Sequence, residues 1–283
     1  MYYCTLLVEK QVYFLLVFTV YKYSVKNNFD FYVYNPNIGL GDCISCFNTN
    51  NAIWSPSPHF AVLRKYSTIP TVDTPTGAGL GIHGLVEIDL GVDHLFNRVR
   101  VATGLEPMAQ PRAQLDLINY QPIKNNIAFS FDVGSNASAQ IELHPRPRQL
   151  YPEHRATVQE FISKNRDRFN FIEVGARSFG FADTVVQTGI GLDATIGILA
   201  QCQYYFGMHS GLMHLATAMG LRCNIIINFP TIARMHQRPA VFDPTDKMEW
   251  ERAWLYPQHR YLHEDEVGNE YAITVDSLES LWQ

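Results

Sequence analysis

Residues 206–220 read FGMHSGLMHLATAMG, which sets two histidines, a serine and a glycine where a strand hands over to a helix. Such residues serve a metal site, a nucleophile, an anion cradle, or packing at a helix start. His209 and His214 are five residues apart with no glutamate between them. Zinc ligands on one helical face sit at i and i+4, so the spacing argues against a metal. Ser210 lacks the GxSxG turn that exposes a hydrolase nucleophile. An anion cradle fits better: the first N–H groups of a helix have no intrahelical partner, and the helix dipole adds positive potential beside them. Ser210 can cap that helix and bond a phosphate oxygen, and Gly211 admits close approach to the backbone. A packed helix start without a ligand is the plainer alternative.

The elements that must position this segment alternate in type. The stretch FDFYVY (29–34) predicts a strand running into the glycine turn NPNIGLGD, then a helix-like CISCFNTNNAIW. HFAVLRK (59–65) reads as a second strand, and residues 67–84, rich in Pro, Thr and Gly, read as a long functional loop. Val92, Leu95, Phe96 and Val99 have helical spacing, and Gly104 suits the helix end. A boundary is expected near Lys124. Beyond it NIAFSFDVGSN, FNFIEVGA, YYFGM and CNIIINF read as strands, and residues 152–165, DATIGILAQC, LMHLATAM and VDSLESLW as helices. Strands alternating with helices imply parallel sheets covered on both faces.

Composition narrows the partners. The chain has 283 residues, is 47% hydrophobic and 17% charged, and carries a net charge of −5. Those values suit one large or two modest globular domains. The acidic balance offers no broad basic surface, so nucleic acid is disfavoured as a partner. Five cysteines, an odd number, read as reduced thiols in a cytoplasmic protein. Cys43 and Cys46 have CxxC spacing but no second ligand pair nearby, which favours packing over zinc or redox chemistry. The apolar residues 11–21 fall well short of the roughly 20 that span a bilayer as a helix. Residues 1–28 therefore read as a buried strand or a hydrophobic docking segment, compatible with peripheral contact at the inner face of a membrane.

The stretch GMHSGLMHLATAMG resembles the signature of the heptosyltransferase-like glycosyltransferases of family 9. NPNIGLGDCI resembles that family's first glycine loop, ending in GD, and TGAGLGIHG its second. DATIGILAQCQYYFGMHSG follows its order of helix, strand and loop, and the tail LYPQHRYLHEDE is of a kind seen there. The resemblance runs from about Phe29 to the C-terminus, with residues 207–220 the most specific part.

That resemblance implies an α/β fold of GT-B type: two Rossmann-like domains, each with a parallel sheet, facing each other across a cleft. Residues 29–124 would form the acceptor side and 125–283 the nucleotide-sugar side. It implies an inverting, metal-independent transferase that needs no cofactor. Heptose or a related sugar would pass from a nucleoside-diphosphate donor, ADP-linked donors included, to a glycan, glycolipid or protein acceptor.

Residue by residue, Asp42 matches the loop carboxylate and is the candidate general base; capping the next helix is its competing role. Gly39, Gly41, Gly79 and Gly81 match the two glycine loops. Ser210, Gly211, Leu212 and Met213 match the diphosphate-binding turn. His214 matches the motif histidine, with a packed core histidine as the other reading. His209 stands where many members carry an aspartate that contacts the sugar. It can donate a hydrogen bond but cannot act as a carboxylate. Arg148, with Arg146 as fallback, is the positional match for a cation on the leaving phosphate, against solvated surface charge. Gly175 and Arg177, after another strand end, are candidates for base or ribose contacts. A silent nucleotide-sugar-binding member, or a transferase acting on modified nucleic-acid bases, are the alternatives.

Overall fold

A computed structural model describes residues 31–33, 39–49, 52–74, 76, 79–81, 94–116, 121–131, 150, 152–227, 248, 251–263 and 273–283. Residues 1–28, Arg146 and Arg148 lie outside the described residues, as does the side chain of Asp42.

The N-terminal half holds a three-stranded parallel sheet. Its strands are β1 (Phe31–Val33), β2 (Ile53–Trp54) and β3 (Gly79–Gly81), in the order β2-β1-β3. Among the described residues three helices accompany it: α1 (Leu40–Ser45), α2 (Pro58–Leu63) and α3 (Leu95–Ala102). The C-terminal half is built on β4 (Asn126–Ser130), β5 (Asn170–Gly175), β6 (Val185–Thr188), β7 (Tyr204–Met208), β8 (Arg222–Ile227) and β9 (Arg260–His263). Its helices are α4 (Arg155–Asn165), α5 (Leu192–Leu199), α6 (Gly211–Ala218) and α7 (Val275–Ser280). The six strands pair in parallel in the order β6-β5-β4-β7-β8-β9. The chain starts at the centre, winds outward through β5 and β6, then returns to β7. This doubly wound order opens a crevice at the carboxyl ends of β4 and β7.

Burial follows from covering both faces. All five residues of β4 are buried, as expected of a central parallel strand. On one face Ile127, Phe129, Phe171 and Phe206 meet Val158, Phe161 and Ile162 of α4 and Leu278 of α7. Each such apolar side chain contributes about 1.5–3 kcal/mol when fully buried. On the other face Tyr205, Cys223, Ile225 and Ile227 meet Met213, Leu215 and Ala216 of α6. The same cluster continues into Cys43, Ile44 and Phe47 around α1 and into Phe96 and Val99 of α3. The expected boundary at Lys124 falls in the turn before β4, yet the core is continuous across it.

Several elements correct the sequence expectations. Residues 59–65 form α2 and a following 3-10 turn, not a strand. Ser57 accepts from the His59 N–H, Pro58 occupies the first turn, and Phe60 and Leu63 bury one side at helical spacing. Gly79 and Gly81, expected in a loop, lie in β3 beside Phe31 and Val33 of β1. The pair Ile53–Trp54, expected to be helical, is β2. Two edge strands, β6 and β9, fall in segments without an expected strand.

At the crevice Gly207 takes φ +153°, and a Cβ built there would sit 2.1 Å from the Ser130 carbonyl oxygen. Only glycine lets β7 pass β4 this closely. Gly207→Ala is therefore expected to lower stability by about 3 kcal/mol or more, seen as a lower denaturant midpoint. A midpoint equal to the wild-type value would contradict the close approach.

Candidate active site

The segment at the carboxyl end of β7 forms the N-terminus of α6. Ser210 is extended (φ −158°, ψ 172°) and caps the helix, its side chain accepting from the Met213 N–H at 3.4 Å. By helix geometry the N–H groups of Gly211 and Leu212 have no intrahelical acceptor. They and the positive end of the dipole offer an anion two fixed donors. A ring of hydroxyls sits beside them: the Tyr205 hydroxyl is 3.3 Å from Ser210 Oγ and also bonds Ser130 at the end of β4. Burial pushes the Tyr205 pKa up, so the phenol keeps its proton. Gly175, at the end of β5 with φ +129°, has Ser130 Oγ 3.1 Å and Leu212 Cδ1 3.8 Å from the place a Cβ would take. The ends of β4 and β5 and the first turn of α6 thus converge at the switch point.

The loop after β5 is tied down. Buried Glu173 accepts from the Ser178 hydroxyl and from the Phe179 N–H. Arg155 donates to the Phe179 carbonyl at 2.7 Å and stacks over its ring at 5.0 Å. Arg177 is exposed in this loop, two residues beyond Gly175.

The first turn of α1 rests directly on α6. A Cβ at Gly211 would meet Leu40 Cβ at 2.6 Å and the Gly41 nitrogen at 2.9 Å; one at Gly41 would meet His214 Cδ2 at 2.7 Å. The space left by the missing side chain of Gly211 is thus taken by the first turn of α1, whereas a close-approaching ligand was the expected occupant. Gly39 is the N-cap residue of α1. Asp42 consequently stands inside the first turn, not at the cap position, where a carboxylate is favoured by the dipole.

The two motif histidines are buried, each 2% exposed. His214 Nδ1 is 2.6 Å from the Tyr256 hydroxyl. His209 packs edge-on against His214 (centroids 5.2 Å) and Trp254 (5.9 Å). Met213 is fully buried and serves the core, so among the turn residues Ser210, Gly211 and Leu212 remain at the crevice. Ser130, Tyr205, Glu173 and Tyr256 were missed in the sequence. Only Ser130 carried a signal, as a polar residue closing an apolar strand.

Cys43 and Cys46 are fully buried, and the Cys46 thiol donates to the Cys43 carbonyl at 2.7 Å. Burial raises the Cys46 pKa well above its ordinary value, which leaves a packed, unreactive thiol. Among the described residues no group of three or more His, Cys, Asp or Glu is placed to hold a metal ion. Among them, too, no helix is long and apolar enough to cross a membrane.

No protein-family model and no curated protein matches the sequence. Solved structures do match. E. coli heptosyltransferase WaaC with ADP-2-deoxy-2-fluoro heptose superimposes with a TM-score of 0.59 at 11% identity, over 88% of this chain and 98% of WaaC. The fold is that of the heptosyltransferases. The family 9 glycosyltransferase of Veillonella parvula shares it, with a TM-score of 0.53 at 9% identity over 91% of this chain and 97% of the other. So does the iron-containing dodecameric glycosyltransferase TibC of enterotoxigenic E. coli, at 0.53 and 14% identity; the match covers 88% of this chain but 66% of TibC.

Two further histidines in this heptosyltransferase fold are held neutral. Burial, and secondarily the Arg98 charge, lower the His94 pKa to about 3. His259 is lowered to about 4, chiefly by burial. His259 Nδ1 accepts from the Cys223 N–H at 3.4 Å while its Nε2 lies 2.7 Å from Thr217 Oγ1 of α6. Both pKa values lie below the ordinary 6.5, so the unfolded chain binds more protons between about pH 4 and 6.5. Their stabilisation is complete above about pH 6.5 and is lost as pH falls below it, by about 1.4 kcal/mol per unit for each histidine. Urea unfolding at pH 7.5 and 5.5 should differ by roughly 2–3 kcal/mol. Equal stability at the two pH values would contradict the neutral burial of this pair.

Proposed function

We propose that the chain is a glycosyltransferase, transferring heptose or a related sugar from a nucleoside-diphosphate donor, ADP-linked by preference, to a glycan, glycolipid or protein acceptor. One observation carries this reading: the first turn of α1, which contains Asp42, is seated on the N-terminus of α6 through the contact of Gly41 with Gly211. The backbone of Asp42 thus lies in the turn that rests on this helix end, which supports a role for that residue as base beside a bound diphosphate. The heptosyltransferase fold and the order of the glycine loops support it.

In this mechanism the donor diphosphate sits against the N–H groups of Gly211 and Leu212 and the Ser210 hydroxyl. The sugar extends toward the acceptor half, the GT-B arrangement of two Rossmann-like units about a cleft. Asp42 takes the proton of the acceptor hydroxyl as its oxygen bonds the anomeric carbon from the face opposite the leaving group. The bond from that carbon to the phosphate oxygen breaks, and the nucleoside diphosphate departs with inverted configuration at carbon. Charge building on the diphosphate is stabilised by preorganised donors and by the cation assigned to Arg148, without a metal. Gly175 and Arg177 border the nucleoside.

A second reading has one observation in its favour. His209, in the place where many relatives of this kind carry an aspartate, is packed against His214 and Trp254, which suits a protein that binds a nucleotide sugar without turning it over. The two readings separate on release of nucleoside diphosphate from a panel of nucleotide sugars. Transfer predicts release that Asp42→Ala lowers by at least a hundredfold while donor affinity stays within a few-fold. Full turnover in Asp42→Ala would remove Asp42 as the base, and donor binding without release under any acceptor would favour the silent member.

A further inference from the structure

The contact between α1 and α6 has a third participant far away in sequence. Tyr256 is fully buried and its hydroxyl lies 2.6 Å from His214 Nδ1. Its own backbone is clamped: the Tyr256 N–H donates to the Tyr261 hydroxyl at 2.7 Å, and that hydroxyl donates to the Tyr256 carbonyl at 3.0 Å. The Tyr256 ring is held by His94 at 4.6 Å and Phe96 at 5.8 Å between centroids, both from the acceptor half at the start of α3. The far edge of the His214 imidazole is the surface on which Gly41 rests, with Cδ2 2.7 Å from the place of a Cβ there. A chain of contacts therefore runs from the segment before β9, through Tyr256 and the imidazole, to the residue immediately preceding Asp42.

We propose that Tyr256 and His214 are positioning residues, which fix where the first turn of α1 sits against α6 and so where the Asp42 carboxylate meets the acceptor. The inference rests on the reading of Asp42 as base. The hydrogen bond sets the plane of the imidazole. Turning that ring drives its edge into the space of Gly41, where backbone has no slack, and α1 shifts. A general base must come within hydrogen-bond reach of its proton, and a misplacement of about 1 Å costs on the order of a hundredfold in rate. The proposed donor contacts come from Ser210, Gly211 and Leu212 of α6 and none from α1, so donor affinity changes less than turnover does.

Tyr256→Phe removes the hydroxyl and keeps the ring. Turnover kinetics and amide hydrogen exchange of the full-length variant test the proposal together. The expected result is a kcat lowered ten- to a hundredfold, a donor KM within about twofold of wild type, and faster exchange in α1 with α4 and α7 unchanged. Gly41→Ala, which pushes the same ring from the other side, should give the same signature, and the double variant should be no slower than Gly41→Ala alone. An unchanged kcat overturns the proposal, as does faster exchange spread equally over α1, α4 and α7. Should wild-type protein release no nucleotide from any donor, the reading of Asp42 fails; the exchange pattern then decides by itself whether Tyr256 holds α1.

Discussion

Everything at the crevice depends on one steric constraint: the first turns of α1 and α6 touch backbone to backbone, with room for no side chain at either Gly41 or Gly211. A glycine pair of this kind brings two helix starts closer than side chains allow, at the cost of conformational entropy in the unfolded chain. The remaining packing offsets that cost. Cys43, Ile44 and Phe47 around α1 join Met213 and Leu215 of α6 in one buried cluster. The surface ion pair of Lys65 with Asp193, reinforced by the Tyr66 hydroxyl at 3.2 Å, adds a peripheral link between the halves, one worth little by itself in water.

The sheet supplies the other half of the constraint. Its doubly wound order sets the ends of β4 and β7 side by side, and the glycine of β7 lets them approach without a side chain between. Polar groups at such a point need partners, and the hydroxyls of Ser130, Tyr205 and Ser210 satisfy one another. The first-turn amides of α6, which by helix geometry lack intrahelical acceptors, lie beside these hydroxyls. The buried histidines behave oppositely. His94 Nδ1 caps α3 by accepting from the Phe96 N–H, His259 bonds the Cys223 N–H and Thr217, and their low pKa values mark them as structural groups.

Much of the C-terminal half was legible because its signals are local. Ser210 before an apolar helix, glycines at strand ends and strands with apolar centres such as NIAFS each favour one conformation, and β4, β5, β7, β8 and α6 fall where these signals put them. The N-terminal half was less legible. An apolar run such as HFAVL fits a buried strand or a helix equally, and the Ser57-Pro58 start decided for α2. Edge strands β6 and β9 depend on pairing with β5 and β8, which no local pattern encodes. The packing partners of His214 and Gly211 were hidden for the same reason. Their neighbours, Tyr256 and Leu40, are distant in sequence, and only the fold brings them together.

The central claim is that the N-terminus of α6 receives the diphosphate of a nucleotide. Titrating ADP into uniformly 15N-labelled protein and following the amide resonances of Gly211 and Leu212 tests it most directly. The account predicts saturable shifts of these two amides, the largest in the spectrum, because their N–H groups gain charged acceptors. Saturable ADP binding that leaves both amides in place, with the shifts gathered elsewhere on the sheet, would contradict it.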